Sequence, residues 1–111
     1  MIYNKINQEI SVKRPPKLDN VLEIAKKCVE KGHYLPTFHA ECRQKERDIT
    51  LLDALYVIRN GFREPKYDQF KLEWNAWNYA IRGTTLQKDK IRVIISFDES
   101  LMLIITVINI E

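Results

Sequence analysis

From residue 91 to residue 110 the chain reads IRVIISF, then DES, then LMLIITVINI. Two runs rich in β-branched residues are joined by three polar ones. Branched side chains suit a pleated strand, and a connection this short predicts a tight hairpin. The second run is apolar at nearly every position, as in a central strand covered on both faces. Upstream, WNYAIRG (77–83) alternates Trp77, Tyr79 and Ile81 against Asn78, Ala80 and Arg82. FREPKY (62–67) is a shorter strand, and Pro65 confines it to an edge or a bulge.

The front of the chain has the other periodicity. Leu18, Val21, Leu22, Ala25, Cys28 and Val29 recur at intervals of three and four, and Gly32 is placed to end that helix. A second helix is expected from Thr37 to Arg47, with a thin apolar side of Phe38, Cys42 and Ala40. A third follows Thr50, whose spacing to Asp53 is that of a capping box; Leu51, Leu55 and Ile58 share its face and Gly61 closes it. The expected fold is therefore α+β: three N-terminal helices packed on one face of a mostly antiparallel sheet of about four strands. Residues 1–17 read as an extended arm ending at Pro15-Pro16, and 18–111 as one domain.

Composition excludes several classes. At 45% apolar and 30% charged residues, the 111-residue chain has a globular profile without long disorder. No apolar run is long enough for a membrane helix, and no signal-peptide core precedes the domain, which points to a cytoplasmic protein. Two cysteines make no disulfide framework. Cys28, His33, His39 and Cys42 are metal-ligand types, but not in the close pairs of structural zinc sites, so neither metal nor cofactor is expected. The net charge of +3 is concentrated: residues 1–47 hold ten basic and six acidic side chains, residues 48–111 eight and nine. A basic local surface attracts polyanions even on a nearly neutral molecule.

That basic half contains HAECRQKER (39–47). On a helix His39, Arg43 and Arg47 would share an arc of about 80°, stacked over about 12 Å beside the apolar side. Two readings fit. Glu41–Lys45 and similar pairs describe a solvated charged helix. Alternatively, arginine forks hold phosphate oxygens while a histidine moves a proton.

The ordered series HAECRQKERDITLLDALYVIRNG, WNYAIRG and LIITVI resembles domain-of-unknown-function family 4258 over about residues 37–108. That family is similar in layout to the RelE-like toxins and to the barnase–EndoU–colicin–RelE ribonucleases; the whole chain has a looser outline likeness to the MqsR toxins. The resemblance implies a metal-independent endoribonuclease, the toxin of a bacterial toxin–antitoxin pair. Its partners would be RNA, free or ribosome-bound, and an antitoxin protein, with no membrane involved. It further implies His39, Arg43, Arg92 and Tyr79 as catalytic residues, and Arg47, Arg82 and Thr106 as RNA-binding ones. The rival expectation is a non-catalytic RNA- or protein-binding module on the same fold. Strand alternation qualifies one pair: Tyr79 and Arg82 differ by an odd number of positions and face opposite ways in a regular strand. Arg82 belongs on a polar surface, since Trp77, Tyr79 and Ile81 read as a core face. Trp74 is expected at a partner interface rather than in the site.

Overall fold

The structure, a computed structural model, describes residues 14–37, 49–99 and 101–110. Two α-helices and six strands make up its regular part: α1 (Val21–Lys31), β1 (Tyr34–Pro36), α2 (Leu51–Asn60), β2 (Phe62–Arg63), β3 (Gln69–Lys71), β4 (Ala76–Thr84), β5 (Lys90–Asp98) and β6 (Leu101–Asn109). The expected class, α+β, is what the chain forms. The sheet has more strands than expected and is mixed. Its order is β1-β6-β5-β4-β2, with β3 also on β4. All pairings are antiparallel except β1 with β6. The extra strands, β1 and β3, are edge pieces of three residues, below the length at which alternation can be read. The strand expected over 62–67 pairs only at Phe62–Arg63 and gives way at Pro65 to a 3-10 turn. The helix expected over 37–47 falls, from Phe38 on, outside the described residues.

Local signals account for both helix boundaries. In α1, Gly32 sits at φ 72°, and the chain closes with bonds from Gly32 N to Val29 O and His33 N to Cys28 O. An L side chain is strained there, so glycine is the economical terminator. The helix begins later than its apolar periodicity suggests. Leu18 precedes it, exposed, and its N–H donates to the Tyr79 hydroxyl at 3.0 Å. In α2 the capping box is complete: Thr50 N–H donates to Asp53 Oδ2 (3.0 Å) and Asp53 N–H to Thr50 Oγ1 (3.2 Å). Gly61 is needed for close approach, since a Cβ there would meet the Arg82 carbonyl oxygen at 2.3 Å. Gly83 opposite likewise leaves room for Val57. The two glycines let the end of α2 lie directly on β4.

The core lies between the helices and one face of the sheet. Val21, Ala25 and Cys28 of α1 and Ala54, Leu55, Val57 and Ile58 of α2 cover Tyr79 and Ile81 of β4, Ile91, Val93 and Ile95 of β5, and Met102, Ile104 and Val107 of β6. Burial on this scale, about 1.5–3 kcal/mol per large side chain, is the main force holding the layers together. Among the described residues no helix is long and apolar enough to cross a membrane.

Candidate functional site

Side chains alternate along a strand, so the residues between those core positions form a second face that the two helices do not cover. Asn78, Ala80 and Arg82 stand there on β4, Arg92 and Ile94 on β5, and Thr106 and Ile108 on β6. The register aligns Arg82 with Arg92 and Ile108, and Ala80 with Ile94 and Thr106. Thr106 reaches this face only through a bulge. Ile95 pairs with Ile104 but Ile94 pairs with Thr106, which leaves Ile105 as an extra residue. Without it Thr106 would share a face with Met102 and Ile104.

A second irregularity builds the site's wall. β2 pairs with β4 through Phe62–Arg82 and Arg63–Ile81, whereas β3 pairs through Gln69–Asn78, a register displaced by three residues. The surplus is absorbed in residues 64–68, with a single 3-10 turn at Pro65–Tyr67. Asp68 pins this excursion. It accepts from Arg63 twice (3.0 and 2.6 Å) and from the Ala80 N–H (2.9 Å), and Lys17 lies 3.0 Å away. Its side chain is wholly buried. Burial pushes the Asp68 carboxyl up, but Arg63, the Ala80 N–H and Lys17 together outweigh it and hold the group below the usual carboxylate range.

The excursion carries Glu64 and Tyr67 over the open face. Arg92 Nε donates to Glu64 Oε1 at 2.7 Å, and Arg82 Nη1 to Glu64 Oε2 at 3.3 Å. The Arg92 guanidinium lies over the Tyr67 ring, its Cζ 3.7 Å from the ring centroid. Arg82 and Arg92 are direct cross-strand neighbours, where like charges repel; Glu64 between them offsets that repulsion. The hydrogen bond from Arg92, opposed by burial and aided by Arg82, keeps the Glu64 carboxyl below its ordinary range. The same bond raises Arg92. Both side chains are mostly enclosed, at 12% and 13% exposure, while Arg82 is open to solvent at 39%. The cluster keeps one unit of positive charge, with donors that an incoming phosphate could take from Glu64.

Of the sequence-predicted residues, Arg82, Arg92 and Thr106 come together on this face. Tyr79 does not join them: it is 4% exposed on the helix-covered face, as alternation requires, with its hydroxyl on the Leu18 N–H. His39, Arg43 and Arg47 lie outside the described residues. Trp74, expected at an interface, is 53% exposed on the short turn after β3. Sequence reading missed Glu64, Tyr67 and Asn78. The only signal for the first two was Pro65 between them, which marks a bulge without saying what the bulge lifts.

No curated protein and no solved structure matches the chain significantly. A family model does, that of the Domain of unknown function (DUF4258), over residues 37–109. The match takes in α2, the Glu64–Tyr67 excursion, both arginines and the bulged last strand, and by it the chain belongs to the DUF4258 family.

Proposed function

We propose that this chain is a metal-independent endoribonuclease with a RelE-like domain, the toxin of a toxin–antitoxin pair, acting on RNA phosphates over the open face of its sheet. The observation that carries the reading is the Arg82–Glu64–Arg92 cluster beside Tyr67. Cleavage without metal needs a base for the 2′-OH, positive charge on the phosphorane, and an acid for the leaving 5′-oxygen. In this reading Arg92 neutralises the phosphorane, Arg82 steadies a neighbouring phosphate, and Tyr67 takes the catalytic place that the resemblance gave to Tyr79, supplying a proton or stacking a base. Glu64 occupies the arginine forks until phosphate replaces it.

His39 is the proton carrier, with Arg43 and Arg47 as further phosphate contacts. The chain's route supports this. Thr37, the last described residue before that segment, donates to the Ile105 carbonyl at 2.8 Å, next to Thr106. One observation favours the rival, a module that binds RNA without cutting it. Among the described residues, the open face offers arginines, a tyrosine and a carboxylate held low, and no histidine, the side chain that titrates near neutrality.

The test is single-turnover cleavage of end-labelled RNA with chelator present. The expected products carry 2′,3′-cyclic phosphate ends, and His39→Ala and Arg92→Ala each slow the reaction about 100-fold or more. RNA held in a salt-dependent complex but left whole by the unaltered protein would establish the rival. Unchanged rates in both variants would remove these residues from the mechanism.

A further inference from the structure

Beside the arginine cluster, a cavity of about 210 Å³ opens on the same face, lined by Tyr67, Gln69, Asn78, Arg92, Ile94, Thr106 and Ile108. Two of its polar atoms are anomalous. Asn78 Oδ1 and Thr106 Oγ1, on two of its lining residues, are both buried, and among the described residues neither has a hydrogen-bond partner. Asn78 as a whole is 5% exposed. Buried side-chain oxygens nearly always find partners, so two orphans lining one cavity call for an account. The polypeptide took trouble to put one of them there, since Thr106 faces the cavity only because of the bulge at Ile105.

We infer that this cavity is a nucleobase pocket, in which Asn78 and Thr106 read the edges of one base of the bound RNA. The inference rests on the ribonuclease reading for its ligand class and adds where sequence preference would arise. The chemistry of the lining selects such an occupant. Ile94 and Ile108 supply an apolar floor for a flat ring. Asn78 and Thr106 stand on β4 and β6 with β5 between them, offset by two residues along the strands, and so flank diagonally whatever lies on Ile94. Gln69, paired across the strands with Asn78, adds an amide at the rim. The Arg92–Tyr67 stack forms the side toward the phosphate site, so base and phosphate of one nucleotide could be held together. The volume is several times a water molecule's share of about 30 Å³. An amide on one side and a hydroxyl on the other can meet donors and acceptors at two places on a base, and base-edge hydrogen bonds carry sequence discrimination.

The test compares the four nucleoside 3′-monophosphates with ribose 5-phosphate, a base-free probe, by calorimetry and by NMR of the full chain. At least one nucleotide should bind about tenfold tighter than the base-free probe. Asn78→Ala and Thr106→Val should each close that gap. Thr106→Val is near-isosteric and serves if Asn78→Ala does not fold; removing an unpaired hydroxyl should also raise its Tm. Equal affinity for all five probes would overturn the pocket, as would a gap that survives both variants. A lowered Tm in Thr106→Val would overturn it too, by showing that the hydroxyl already has a structural partner such as an ordered water. Failure of the nuclease reading looks different: base-dependent binding without RNA cleavage leaves the pocket standing, whereas cleavage with no base-dependent gap removes the pocket alone.

Discussion

The two faces of this sheet are made by the same three long strands and have opposite characters. On the helix-covered face Ile81, Ile91, Val93, Ile95, Met102 and Ile104 are wholly buried, and the Tyr79 hydroxyl accepts from the Leu18 N–H. On the open face, one residue away at every point, sit two arginines, a carboxylate and two unpaired buried oxygens. The difference teaches that strand alternation separates stability from chemistry in a small domain. One face is complete in itself. The other carries buried oxygens that no described residue satisfies, and charge concentrated on one carboxylate between two arginines.

This contrast can be broken most forcefully from the covered side. Ile81→Ala should cost about 2–5 kcal/mol in urea unfolding, because the cavity lies between α2 and β4 with both backbones held close by Gly61 and Gly83. RNA affinity of the molecules that remain folded should be unaltered. A loss of affinity at constant folded fraction would mean that the faces are not independent.

The hinge between the faces is Asp68, and its removal comes next in size. Asp68→Ala leaves the Ala80 N–H without its acceptor and Arg63 with only the Ala80 carbonyl, and should cost about 3 kcal/mol, the low end for a buried ion pair broken from one side. Because Asp68 holds the excursion, the Glu64–Arg92 bond should loosen with it. NMR should show the Arg92 Nε–H signal exchanging faster with water, and a signal as protected as before would uncouple the two.

The smallest effect sharpens the comparison most. Glu64→Gln removes a charge from the open face and should cost about 1.5–3 kcal/mol, while raising RNA affinity as both arginines are freed. The pH dependence has a definite sign. Glu64 has a folded value below the ordinary 4.5, so its stabilisation is complete above that pH and drains away as the pH falls through the folded value. The stability gap between the native chain and Glu64→Gln should therefore be constant near neutrality and close below about pH 4.5. A gap that is flat down to strong acid would show that the carboxylate does not gain from its two arginines.

Much of this molecule was legible in one dimension, and the parts that were not share a cause. The hairpin from Lys90 to Asn109, the capping box at Thr50 and the terminator at Gly32 are local devices, set by residues a few positions apart. So is the parity that puts Tyr79 in the core and Arg82 outside it. The short strands β1 and β3 were lost because a three-residue piece has no period of its own, and of the strand expected over 62–67 only Phe62–Arg63 pairs as one. Glu64, Tyr67 and Asn78 escaped notice because their importance is a matter of what stands opposite them.

By itself, then, the order of amino acids determined the class of fold, the long strands, the glycine stop of α1, the capping box of α2 and which face each regular strand residue takes, since these depend on neighbours along the chain. Only the tertiary structure decided that Thr106 crosses to the open face and that Glu64 reaches both arginines. A bulge or a register shift exists only between two paired strands, and its position is set by the pairing that satisfies the most backbone hydrogen bonds and buries the most apolar surface at once.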